Sequence, residues 1–123
     1  MKTLSTASAA AALGVEEKVL DNVLAREGRS IILPGARGRS RRIPVTVLEH
    51  LAVAFVLSRD VGVSISRGLE LAERLLASGA SNIQVGSLAA LSFDVVRLRR
   101  TLELAIDEAL ESVAEHARGR PRA

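Results

Sequence analysis

The chain has no cysteine, which excludes disulfide staples, thiolate nucleophiles and cysteine-based zinc or iron–sulfur centres. Tryptophan and tyrosine are also missing, and Phe55 and Phe93 are the only aromatics. The core must therefore be built from Leu, Val, Ile and Ala, at roughly 25 cal/mol per Å² of apolar surface buried. No apolar run reaches the roughly 20 residues needed to cross a bilayer; the longest, Leu51 to Leu57, lies inside an amphipathic pattern. Lysine is nearly absent as well. Lys2 and Lys18 are the only two among 17 basic side chains, and the rest are arginine, the residue that pairs bidentately with phosphates and guanine edges.

What is present is a 123-residue chain with 48% hydrophobic and 25% charged residues, an ordinary globular composition for one small domain. A domain this small and this poor in large side chains gains from dimerising. The net charge of +3 conceals a segregation. Residues 26–42 hold Arg26, Arg29, Arg37, Arg39, Arg41 and Arg42 against Glu27 alone, and the tail adds Arg118, Arg120 and Arg122. The rest of the chain is net acidic. Two concentrated basic segments on an acidic body are what is expected of a protein that holds a polyanion at defined points.

Periodicity and punctuation predict a mainly α fold with small β elements. Ser5 or Thr6 is placed to cap a helix over Ala7–Leu13, Gly14 to end it, and a second helix to follow over Glu16–Arg26 with Val19, Leu20, Val23 and Leu24 apolar. The alanine run lets two helices cross closely. Arg29–Leu33 and Arg41–Val45 read as extended segments around a loop over 34–40, a basic β-hairpin. Helices are expected over Thr46–Arg59 and from Ser64 or Ser66 to Ala77, stopped by Gly62 and Gly79. A second small hairpin over Ile83–Val85 and Leu88–Phe93 would turn at Gly86-Ser87 in a two-residue type II′ turn, with helical continuation as the competing reading. Asp94 would cap a final helix from Val95 to about Glu115. Three regions result: 1–78, 79–117 and a basic, disordered tail over 118–123.

The stretch Leu4-Ser5-Thr6-Ala7-Ser8-Ala9-Ala10-Ala11-Ala12-Leu13-Gly14-Val15, followed by Leu20 and Arg26-Glu27-Gly28, resembles the N-terminal winged helix-turn-helix of MerR-type transcriptional regulators. The resemblance continues through Arg39-Ser40-Arg41-Arg42-Ile43, at the place of the wing, and Gly62-Val63-Ser64-Ile65, at the link between the next two helices. It covers about residues 4–77. It implies a winged helix-turn-helix followed by a hairpin and a long dimerisation helix, acting on double-stranded DNA as a sequence-specific homodimer in the cytoplasm, associated with the nucleoid. The second helix departs from the family pattern, carrying Asp21, Asn22, Val23 and Leu24 where Arg and Tyr are frequent, with Glu16, Glu17 and Asp21 set to repel phosphates.

Within this reading Lys18 and Asn22 are the candidate base readers, since Lys donates to guanine and Asn pairs bidentately with adenine. Arg26, Arg37, Arg39, Arg41 and Arg42 are candidates for phosphate or minor-groove contact. Arg118-Gly119-Arg120-Pro121-Arg122 is similar to the core of an AT-hook, which lies extended in the minor groove, so Arg118 and Arg120 join the candidates. Val95, Leu98, Leu102, Ile106, Ala109 and Val113 form an apolar stripe on the final helix that is expected to dimerise, because little core remains for it.

Enzyme chemistry has little support. His50 and His116 are not in metal-ligand spacing, Glu16-Glu17 and Asp107-Glu108 are adjacent and so do not face each other on a helix, and Gly35-Ala36-Arg37-Gly38 lacks a P-loop's Lys-Ser/Thr. No catalytic residue, metal or cofactor is expected. The competing reading is an antitoxin or other interaction module whose C-terminal half clamps a protein encoded by a neighbouring gene. A mobile-element factor with the same winged domain is a third, and it too would bind DNA.

Overall fold

The computed structural model describes residues 3–27, 42–79, 82–84 and 86–119, with side chains through Ser112 except that of Ser78. In chain order these are β1 (Thr3–Ser5), α1 (Thr6–Leu13), α2 (Glu17–Glu27), β2 (Arg42–Pro44), α3 (Val45–Val61), α4 (Ile65–Ser78), β3 (Asn82–Gln84), β4 (Ala90–Ser92) and α5 (Val95–Gly119). The described chain is mainly helical, with two small antiparallel sheets, β1–β2 and β3–β4.

The helix ends follow local chemistry. Ser5 caps α1, its Oγ accepting the Ser8 amide at 3.2 Å. At the other end Gly14 takes a left-handed conformation (φ 72°), and the Gly14 and Val15 amides donate to the Ala11 and Ala10 carbonyls at 3.2 and 3.0 Å. This double bond pattern closes the helix and reverses the chain within three residues before α2. Ser64 and Asp94 cap α4 and α5 by accepting the Arg67 and Arg97 amides at 3.1 and 2.9 Å.

The central element is α3. Leu51, Ala52, Val53 and Ala54 are buried in succession, so the helix is covered on nearly every side, and its residues enter both hydrophobic clusters. One cluster joins Leu4, Leu20, Ile43, Leu48 and Leu51 to Leu102 and Ile106; the other joins Val53, Leu57, Leu71 and Leu75 to Ile83 and Val95. Both span the expected boundary at residue 78, so α5 and β3 complete the core of the N-terminal helices and form no separate unit. An exposed ion pair, Arg99 Nε to Glu49 Oε2 at 3.1 Å, also links α5 to α3.

Three expectations change here. The apolar stripe of α5 is spent inside the chain: Val95, Leu102, Ile106 and Ala109 are buried and Leu98 is half-buried, packed with residues of α1, α3 and α4. The premise that no core remained for it fails, because the alanines of α1 offer a low surface on which α5 lies. The side chain of Val113 lies outside the described residues. The second hairpin forms, but the pairing Gln84↔Ala90 leaves residues 85–89 as its connection, and Gly86 lacks the positive φ of a type II′ turn. The helix α5 continues through Arg118 and Gly119, so those two are not extended as an AT-hook would have them.

The strand β2 has a partner that the sequence did not suggest. Its partner among the described residues is β1, in the register Thr3↔Pro44, Leu4↔Ile43 and Ser5↔Arg42. The expected partner segment, Arg29–Leu33, lies outside the described residues.

The α3–α4 crossing makes a prediction. A Cβ at Gly68 would stand 3.0 Å from the Ala54 Cα and 3.1 Å from its carbonyl oxygen, so Gly68→Ala requires the α3 backbone to give way at Ala54. Urea denaturation should show a loss of about 1–3 kcal/mol. Gly86→Ala, with nothing within 4 Å, should leave stability within about 0.5 kcal/mol. Equal midpoints for the two variants would contradict the tight crossing.

Candidate nucleic-acid interface

The helix α2 buries Leu20, Val23 and Leu24 and exposes the rest of its surface. Lys18, Asn22 and Arg26 follow each other at intervals of four, so they fall along one solvent-facing stripe, and all three are exposed. Glu17 in the first turn and Arg26 in the last also complement the helix dipole. Glu17 and Asp21 are exposed on the same helix, and Glu16 is exposed just before it. They limit how closely a polyanion can approach its N-terminal turn, and the cationic end is the one at Arg26.

Of the arginine-rich segment, Arg37, Arg39 and Arg41 lie outside the described residues. Arg42 is described and is already engaged: its Nε donates to Thr3 Oγ1 at 3.2 Å and its Nη2 to the Thr3 carbonyl at 3.1 Å. Its guanidinium clips β2 to β1, with the side chain still exposed. Sequence reasoning missed this contact because Thr3 and Arg42 are 39 residues apart, and no local pattern links them. The side chain of Arg118 and all of Arg120 lie outside the described residues.

The structure adds residues that the sequence did not single out. Asn22 and Arg26 line a cleft of ≈ 410 Å³ together with Phe55, Ser58 and Arg59 of α3 and Ile65 of α4. Arg59 follows Phe55 by four positions, so the pair faces one side of α3, a spacing visible in the sequence. That this side meets α2 was not visible there.

His50, half-buried on α3, bonds through Nδ1 to the Thr46 carbonyl at 2.7 Å within its own helix. Among the described residues, no cluster of His, Asp and Glu could hold a metal ion, and no helix is long and apolar enough to cross a membrane. Comparison with protein-family models, curated proteins and solved structures finds no match to this chain.

Removing the Arg42 clip should loosen β1 more than the helices. Arg42→Ala is expected to cost about 0.5–1 kcal/mol, the usual range for an exposed hydrogen-bonded pair. Amide exchange should accelerate in β1 and β2 while α3 and α4 stay protected. Uniform acceleration across all elements would show that the clip acts on the whole fold.

Proposed function

We propose that this chain is a sequence-specific DNA-binding protein whose α1–turn–α2 unit and arginine-rich segment work as a winged helix-turn-helix. The observation that carries the proposal is the exposed Lys18–Asn22–Arg26 stripe on α2, a helix that follows α1 directly across the Gly14–Val15 closure. Side chains on such an exposed helix can enter a major groove, where Lys and Asn distinguish guanine and adenine edges.

Topology supports the second half of the reading. The segment carrying Arg29, Arg37, Arg39 and Arg41 starts where α2 ends and finishes at β2, which is paired to β1 immediately before α1. Both ends of the most basic stretch are therefore tethered to the same two-helix unit as the reading stripe. In this proposal Arg37, Arg39 and Arg41 neutralise backbone phosphates or enter the minor groove, and Arg42 mainly positions the strand they run into. The dimer face first expected on α5 is occupied by the chain's own core, so a two-fold symmetric complex would need another surface.

Titration of fluorescent duplex DNA across a salt series tests this. Affinity should fall with log salt at a slope of roughly −0.9 per phosphate contact, and Arg39→Ala with Arg41→Ala should flatten the slope by about two. Lys18→Ala and Asn22→Ala should each cost roughly 1–3 kcal/mol at a preferred site and far less on random duplex. Binding that is absent, or insensitive to salt, would reject the proposal.

A further inference from the structure

We propose that the cleft between α2 and the α3–α4 junction is a binding site for a flat aromatic carboxylate, whose occupancy excludes DNA from α2. The cleft has the size of a small-molecule site, ≈ 410 Å³, within the roughly 300–1,000 Å³ such sites span. Its apolar wall is made by Val19, Val23, Phe55 and Ile65. Val19 is 42% exposed, an apolar surface that the core does not use. Phe55, one of only two aromatics in the chain, is half-buried there and offers a ring for stacking.

Two arginines, Arg26 and Arg59, and Asn22 line the same cleft. Among the described residues Arg59 pairs through its Nε with Asp60, at 3.1 Å, with side chains 71% and 59% exposed. Such an exposed pair is weak, and among the described residues both Nη groups remain to grip a carboxylate in a charge-assisted, bidentate geometry. The combination selects the ligand class. A bare inorganic anion would leave the apolar wall wet, and a neutral aromatic would leave the guanidiniums unmatched. An aromatic carboxylate satisfies both, and the volume suits one or two fused rings.

The DNA consequence rests on the proposed function, since Asn22 and Arg26 would serve both ligands; the binding itself does not. The test therefore has two arms on the full chain, using 2-naphthoate as the probe and the neutral 2-naphthamide as its control. Calorimetry without DNA should show saturable one-to-one binding of 2-naphthoate, with the amide at least about tenfold weaker. Arg26→Ala and Arg59→Ala should each weaken 2-naphthoate about tenfold. Val19→Asp, at an exposed position that leaves helical circular dichroism intact, should abolish binding. No saturation at millimolar probe, equal affinity for the amide, or indifference to both arginine substitutions would overturn the site.

In the second arm 2-naphthoate should release labelled duplex from the wild-type chain, and about tenfold more should be required with Arg59→Ala. Failure to displace bound duplex, with calorimetric binding intact, would overturn the exclusion of DNA. Failure of the chain to bind duplex at all would count against the proposed function, and the calorimetric arm would then decide the site alone.

Discussion

The packing of α5 across α1 and α3 is the interaction on which the rest of the structure depends. Two residues near the middle of α5, Leu102 and Ile106, share a cluster with Leu4 of β1, Leu20 of α2 and Ile43 of β2. Without them the short α1–α2 unit would have to hold its angle on a few leucines and alanines. With two phenylalanines and no larger aromatic, the chain cannot fill a wide interior. Small residues bring the helices close instead: Ala9 and Ala10 of α1, Ala52 and Ala54 of α3, and Gly68 of α4. Each close approach increases dispersion contact per residue and makes the packing intolerant of added volume.

That economy links the fold to the candidate site. The leucines that α2 buries are held by elements from both ends of the chain, so its exposed stripe inherits the rigidity of the whole core. The N-terminal strand matters for the same reason. Paired with β2 and clipped by Arg42, it sets where the arginine-rich segment rejoins the body.

Local chemistry made the helices legible in the sequence. The caps at Ser5, Ser64 and Asp94, and the stops at Gly14, Gly62 and Gly79, act within four residues of each helix end. The turn of the second hairpin and the end of α5 were misplaced locally; the cover of the α5 stripe was missed because it comes from distant elements. An apolar stripe such as Val95, Leu98, Leu102 and Ile106 states that a surface will be buried, and not whether the cover comes from the same chain. The alanines of α1 were read as a helix crossing with α2; their low profile also seats α5. The pairing of Thr3–Ser5 with Arg42–Pro44 joins two three-residue strands far apart in sequence, with α1 and α2 between them, so the hairpin signals that mark adjacent strands were missing. In the site, Lys18 and Asn22 were singled out by their hydrogen-bonding chemistry and Arg26 by its charge, whereas the meeting of Arg59 and Phe55 with that stripe arises only when α2 and α3 come to line one cleft.

The central claim is that a rigid, exposed α2 reads DNA sequence. Selection of duplexes from a randomised pool by the purified chain, at a salt concentration near 0.15 M where nonspecific attraction is screened within about 8 Å, tests it most directly. The account predicts enrichment of one motif by the wild-type chain, and a changed base preference at one position of that motif when Asn22→Ala is selected in parallel. A pool that stays random, or the same motif from both proteins, would contradict it.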